Sequence, residues 1–411
     1  MVDCCSAQGL LPFEQALENM LTVVKPISDT EQVTLTNALG RVLAQDIKSP
    51  VNVPPNDNSA MDGYTFSSQS LAENNTLKLV GRSMAGAPFT GECKAGECVR
   101  IMTGAKVPAD CDTVEMQENC QVDGENITFL SPRKRADNVR SKGEDIAKEQ
   151  VVFLTGRELT AIDIGVLASL GIDKVTVFRK LKVALISTGD ELKKPGQSLN
   201  DGDIYESNSQ FLTSLLTKLG AEIIDFGIVE DVETSIFTAF KKADDVADVV
   251  ISSGGVSVGD ADYTKTVLEA LGKIAFWKIA MKPGKPFAFG TLTKAYFFGL
   301  PGNPVSALVT AHQLALPALL KMQHVNREQP LTLKAKTTQV LKKSPGRMDF
   351  QRGILSQDEN GDLQVTSTGS QGSGILTSMA AANCYIVLAA EQGKVNQGEW
   401  VKVQMFDKYL Q

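Results

Sequence analysis

The sequence predicts a multidomain α/β-plus-β protein. It should hold a doubly wound α/β domain, a mostly-β domain inserted into a small α/β domain ahead of it, and a C-terminal β domain. Three observations carry this. The 411 residues exceed what one hydrophobic core usually organises, so two to four domains are expected. From Lys182 onward, near-continuous apolar runs alternate with helical stretches, the rhythm of a parallel sheet covered on both faces. Between about residues 75 and 155, and again after residue 329, short apolar runs are separated by Gly, Pro, Asn and Asp, as in small β domains.

Taken in order, residues 12–24 (PFEQALENMLTVV) have the spacing of a short amphipathic helix, and a second helix is expected near Leu35–Ala44. SPVNVPPNDNSAMDGY follows, and its prolines and Asn/Asp residues exclude regular helix. LKLVG, CVRIM, TVEMQ and ITFL read as strands. The helix ELTAIDIGVLASLG and the strand KVTVF close this half, where the chain should return to the first helices. In the α/β segment VALIS, EIIDFGIV and VADVVIS are strands, each leading through a loop to a helix, and IAFWKIA, PFAFG, YFFGL and the helix NPVSALVTAHQLALPALL complete it. After NREQP, five further runs with Gly/Asn/Asp turns predict a β-barrel or sandwich, with ENGD as a tight turn. The expected domains are residues 1–48 with 148–180, 49–147, 181–328 and 329–411.

Composition removes several functions. Lys+Arg number 41 against Asp+Glu 48, a net charge of −7, so no broad basic field exists to hold nucleic acid or an anionic membrane. The seven cysteines (Cys4, Cys5, Cys93, Cys98, Cys111, Cys120 and Cys384) are odd in number and form no C-x-x-C pair. With no basic-then-apolar signal pattern at the N-terminus, a reduced cytoplasmic protein is expected. Two histidines, His312 and His324, exclude a multi-His zinc site. The apolar stretch Ala307–Leu320, interrupted by His312 and Gln313, reads as too short to span a bilayer.

Four loops carry chemistry. SSGGVSVGDADY (Ser252–Tyr263) lies between a strand and a helix, and Gly254, Gly255 and Gly259 let its N–H groups turn inward. Its natural guest is a phosphate or other oxyanion, and its bland alternative a tight strand-to-helix connection. STGDEL presents the hydroxyls of Ser187 and Thr188 with Asp190 and Glu191. LPGNPVS fixes its backbone with Pro301 and Pro304 at a helix start, and KPGKP carries Lys282 and Lys285, with Lys278 just before it. Three of these loops end strands of one parallel sheet, so they should converge on one edge and take a phosphate-bearing ligand. Asp190, Glu191, Asp231 and Asp262 stand at the same ends; Asp231 alone reads as a solvated or capping acid, but the group as a whole suits Mg²⁺ bridging to phosphate. The glycine loop also contains G-x-S-x-G around Ser257, with Asp262 and His312 following in the order of a hydrolase triad. The position of His312 inside a helix speaks against that alternative. In the N-terminal half, NSAMDGY places Asp62 in a turn, IMTGAKVP adds Thr103, and VRSKGEDI adds Asp145; periodicity assigns them no function.

Together, NSAMDGY, IMTGA, VRSKGEDI, STGDEL, SSGGVSVGDADYTK, KPGKPFAFG, LPGNPVSA and PGRMDFQRG resemble the molybdopterin molybdenumtransferases, the bacterial MoeA type shared with eukaryotic E-domain proteins such as the gephyrin C-terminal region. The resemblance implies an elongated homodimer of four-region chains, with a pterin-binding α/β domain and a C-terminal β-barrel. The site would lie between the pterin domain of one subunit and the inserted domain of the other. The implied reaction inserts molybdate into adenylylated molybdopterin with Mg²⁺, releasing AMP and molybdenum cofactor. Asp62, Thr103 and Asp145 would serve on the inserted-domain side. Glu191, Asp231 and Asp262 would be the acids of the pterin domain. Ser187, Thr188, Gly254, Gly255, Ser257, Lys278, Lys282, Pro301 and Pro304 would line it, with Arg352 and Ser373 added from the barrel. Implied partners are the adenylyltransferase that makes the substrate and the proteins that receive the cofactor. A pterin adenylyltransferase or a receptor-clustering scaffold are the alternatives. The first 180 residues argue against the former, and the lack of a linker to a second pterin domain against the latter.

Overall fold

The computed structural model describes residues 9–72, 75–255, 263–325 and 330–411. They pack as two compact units, one of residues 32–177, the other of residues 178–411 with the described residues up to Glu31.

The larger unit is built on a six-stranded sheet. Its spatial order is Glu222–Val229, Lys182–Thr188, Val249–Ser253, Tyr296–Leu300, Pro286–Thr291 and Lys273–Lys278. The first four strands are parallel. Along Lys182–Thr188 the side chains alternate between two cores. Val183 and Leu185 join Leu215 and Phe298 on one face, while Ala184 and Ile186 join Ile236 and Phe240 on the other. A strand covered on both faces has no polar positions to spare, hence its continuous apolar run. The fully parallel sheet read from the sequence is corrected at one edge: Pro286–Thr291 runs antiparallel to both neighbours. Residues 292–295 are too few for the crossover a parallel pair needs.

The helical run Pro304–Met322 is long and apolar enough by length and composition to cross a membrane, which corrects the shorter stretch read from sequence. However, 89% of its apolar window is buried inside the protein, so it is a core helix. Pro304 occupies the first turn, where its missing N–H costs nothing, and a π-helical turn, Ala311–Ala315, interrupts the middle.

The C-terminal strands close on themselves. Met348–Gln357, Leu363–Ser367, Thr332–Thr337, Trp400–Met405 and Cys384–Leu388 pair in sequence around a ring, and the last pairs back to the first. The domain is therefore a barrel and not a sandwich. Met281–Lys282 adds to Met348–Asp349, fastening the KPGKP loop to the barrel. The helix Phe13–Val23 lies on this unit, because Ala16 and Met20, one turn apart, enter the core that holds Leu316 and Leu319. The sequence placed it with the stretch before residue 180.

In the smaller unit a six-stranded sheet runs Thr113–Met116, Gly63–Phe66, Glu97–Ile101, Thr76–Ser83, Asn126–Phe129 and Cys120–Asp123. Thr65, buried within it, gives its hydroxyl proton to Thr113 O at 3.0 Å. The chain does return after this sheet: Leu43 and Ile47 share a core with Phe153, Leu167 and Val177. The second helix expected near Leu35–Ala44 is only a 3₁₀ turn, Leu35–Asn37, capped by Ala38, and Gly40 with φ +72 sits in the turn that follows.

Candidate active site

The parallel strands end at a cleft of about 950 Å³. Three turns from adjacent strands meet there: Thr188, Gly189 and Glu191; Ser253, Gly254 and Gly255; and Pro301, Gly302, Asn303 and Pro304. Pro286 closes one side from the KPGKP loop, and Gly374 from the barrel. The convergence expected from strand topology is what the structure has. The glycines are needed for it. Gly254 has φ +89, and a Cβ there would stand 2.5 Å from Thr188 O. Gly255 has φ +64, and a Cβ would stand 2.3 Å from Thr264 Oγ1. The turns nest against one another as well as lining the cleft.

Two of the expected acids, Glu191 and Asp231, line this cleft. Burial raises the Asp231 carboxyl above its ordinary range, and the neighbouring Asp190 and Glu191 push it further. Such crowding of negative charge is relieved by a cation, and Mg²⁺ needs only one or two carboxylates beside phosphate and water. Among the described residues no three His, Cys, Asp or Glu side chains gather as a complete metal set. Asp262 and Ser257 lie outside the described residues. Thr188 lines the cleft, and its Oγ1 has no partner among the described residues. Ser187 is buried and donates to Glu206 Oε1 at 3.3 Å.

Among the cleft residues that sequence reasoning missed, three stand out. Glu206 is a buried carboxylate accepting the Ser209 N–H at 2.8 Å. Asn208 begins the helix Asn208–Leu219. Tyr205 lines the rim with its hydroxyl tied to Gln197 O at 2.8 Å. ESN between two turn motifs offered only capping signals.

Other expected residues lie outside this lining. Lys278 lines a separate hollow of about 390 Å³ with Leu11, Asn19 and Phe276. Lys282 Nζ stands 3.7 Å from the buried Asp349 carboxylate. Arg352 is buried, donating to Ser378 Oγ and Gly372 O at 3.0 Å each, so its guanidinium shapes the 370–374 turn. Within that turn Ser373 O accepts the N–H of Val305 at 3.0 Å. His312 is buried against Asp407 and Gln313, each at 3.1 Å, and its two ring nitrogens are thus engaged inside the core, which removes the triad alternative.

In the smaller unit the three N-terminal motifs are stitched together. Asn58–Ser59 pairs with Val139–Arg140, Ser59 O accepts the Gly104 N–H at 2.8 Å, and Asp145 N donates to Val53 O at 3.1 Å. Thr103 gives both its N–H and its hydroxyl proton to Asp62 Oδ1, each at 2.7 Å. These bonds, the main-chain one first, and then the Arg100 charge hold the Asp62 carboxyl below its ordinary range. Asp145 is exposed on its turn.

Three family profiles match the chain: the MoeA N-terminal region (domain I and II) over residues 11–171, a probable molybdopterin binding domain over 184–321, and the MoeA C-terminal region (domain IV) over 334–406. The molybdopterin molybdenumtransferase of Haemophilus influenzae is 46% identical, covering 98% of this chain and 100% of its own. Dictyostelium discoideum gephyrin is 31% identical over 97% of this chain and 62% of its own length. Two solved MoeA structures from Pyrococcus horikoshii superpose with TM-scores of 0.84 and 0.82 at 33% and 31% identity, over 97% of this chain and 99% and 100% of theirs. Matched over nearly its whole length in sequence and in fold, the chain belongs to the molybdopterin molybdenumtransferases, transferases of molybdenum cofactor biosynthesis.

Proposed function

We propose that this protein inserts molybdate into adenylylated molybdopterin with Mg²⁺, releasing AMP. The observation that carries the reading is the meeting of three turns from adjacent parallel strands on one cleft that also holds Glu191 and Asp231. Main-chain N–H groups in such turns, with the positive end of the helix beginning at Pro304, suit a diphosphate. Glu191 and Asp231 are the groups to hold Mg²⁺, which when bound neutralises phosphate charge and polarises the anhydride. The protein's own contribution is positioning: the turns fix the phosphates, and Thr188 offers a hydroxyl beside them.

The same reading makes the protein a cytoplasmic homodimer. Asp62, Thr103 and Asp145 of one subunit then face the cleft of the other. An adenylyltransferase supplies the substrate, and cofactor-handling proteins take the product. The test is incubation of the purified protein with adenylylated molybdopterin, Mg²⁺ and molybdate. AMP release that requires molybdate is expected. Consumption of ATP with unmodified pterin instead would move the assignment to the adenylyltransferase.

A further inference from the structure

We infer that Asn208 is a positioning residue for this reaction, its buried amide holding two turns of the cleft at the spacing the substrate needs. The inference rests on the cleft being the substrate site.

The parallel ladder between Val249–Ser253 and Tyr296–Leu300 ends at the pair Ser253 and Leu300. One more main-chain bond follows, Gly254 N to Leu300 O at 3.1 Å. Beyond it the two chains leave the sheet as separate turns, and strand twist would splay them. Asn208 supplies the missing rung. Its Nδ2 donates to Ser253 Oγ at 2.7 Å and to Gly302 O at 2.8 Å. Since Gly302 O can only accept, the amide orientation is settled by its partners.

The chemistry of the position is narrow. It needs two donors on one atom, without charge, at a site 7% exposed. Serine and threonine have one donor, ionised aspartate has none, and lysine or arginine would bury a charge. An asparagine at a helix start ordinarily spends its oxygen on a helix N–H. Here Oδ1 has no partner among the described residues, and it is Glu206 that accepts a first-turn N–H of this helix, that of Ser209. The amide is therefore not a cap. It serves the turns at Ser253 and Gly302, both of which line the cleft.

The experiment uses the full-length protein, saturating molybdate and Mg²⁺, and varied adenylylated molybdopterin, with the melting temperature taken alongside. Asn208→Leu keeps the volume and removes both bonds. Its KM should rise about tenfold or more, the effect of one to two neutral hydrogen bonds, while kcat stays within about threefold because no reacting group is lost. Ser253→Ala removes one bond and should raise KM by a smaller factor. Combined with Asn208→Leu it should add nothing, as expected of partners in one interaction. An unchanged KM in Asn208→Leu, or fully additive effects in the double variant, overturns the inference. If Asn208→Leu does not fold, Ser253→Ala decides, and an unchanged KM there overturns it. A wild-type protein without molybdate-dependent AMP release sinks the proposed function itself, which is a different result from an active wild type with an indifferent Asn208.

Discussion

The main-chain N–H of Asp231 donates to the carboxylate of Asp190 at 3.2 Å, drawing two acids together beside Glu191. Asp231 titrates high because of its burial, then because of these two neighbours. A carboxyl whose folded pKa is raised contributes stability below its unfolded pKa, and loses that contribution as the pH rises through the folded pKa. At neutral pH, then, the ionised Asp231 works against the fold. Asp231→Asn should raise the melting temperature at pH 7 by on the order of 1 °C, the small effect expected at a solvent-facing site. The gain should vanish in acid, where the wild-type group is protonated. Mg²⁺ should stabilise the wild type more than the variant in a thermal scan. An equal response to Mg²⁺ would remove Asp231 from the proposed metal site.

Asp62 is the opposite case. With Thr103 donating twice to one oxygen its pKa is lowered, so its contribution is present above the unfolded value and is lost only as the pH falls through the folded one. That window lies in acid, below the ordinary aspartate value of about 3.9. Asp62 should therefore give no limb to a pH–rate profile between about pH 5 and 9. Asp62→Ala should lower the rate of AMP release on the order of a hundredfold with the melting temperature nearly kept. Thr103→Val, which keeps the N–H bond, should cost on the order of tenfold and move the Asp62 carboxyl titration partway back, measurable by NMR. A wild-type rate in Asp62→Ala would take this turn out of the mechanism.

These acids differ in how far the sequence revealed them. Glu191 and Asp231 were legible as acids just beyond strands, Glu191 after the uninterrupted apolar run Val183 to Ile186 and Asp231 after EIIDFGIV, and strand ends are where ligands bind. Asn208 and Glu206 were not, because a polar residue before a helix has the same appearance whether it caps the helix or ties two distant turns. Periodicity shows that the helix Phe13–Val23 has an apolar face but not which surface covers it. The barrel was legible as short strands, while its closure depends on pairing of Met348–Gln357 with Cys384–Leu388, residues far apart in the chain. The antiparallel edge at Pro286–Thr291 was hidden because apolar runs carry no direction. His312 was partly legible, since a helix interior already argued against a catalytic base.

Gly255 offers a separable test of the turn it occupies. Its φ of +64 disfavours any Cβ, and a Cβ would stand 2.3 Å from Thr264 Oγ1 and 2.8 Å from Thr188 Oγ1. Gly255→Ala should cost about 1–3 kcal/mol in urea denaturation, from backbone strain and crowding together. Adding Thr264→Ala removes the nearest atom and should recover part of the crowding share, because Thr188 Oγ1 still stands 2.8 Å away. AMP binding by calorimetry should remain weakened in the double variant, since the strained turn still faces the cleft. A single variant as stable as the wild type would show that the turn relaxes freely.

In the smaller unit the fully buried Glu115 receives Arg133 on both oxygens, one bond at 2.7 Å, together with the Met116 N–H at 2.8 Å and Asn119 Nδ2 at 3.0 Å. The Glu115 bonds raise the Arg133 pKa, so the guanidinium stays charged. Arg133→Met should cost about 3–5 kcal/mol, because it leaves a carboxylate buried without its counter-charge. Glu115→Gln in the same chain should recover much of that, since an amide needs no partner charge. The damage should reach the site as well. Glu115 lies on the strand Thr113–Met116, which pairs with Gly63–Phe66 directly after Asp62, and Gln117 N donates to Asp62 O at 3.1 Å. Hydrogen exchange of Arg133→Met should thus show faster opening of the amides around Asp62 than of those in Lys182–Thr188. Equal protection in both places would mean that this ion pair does not support the Asp62 turn.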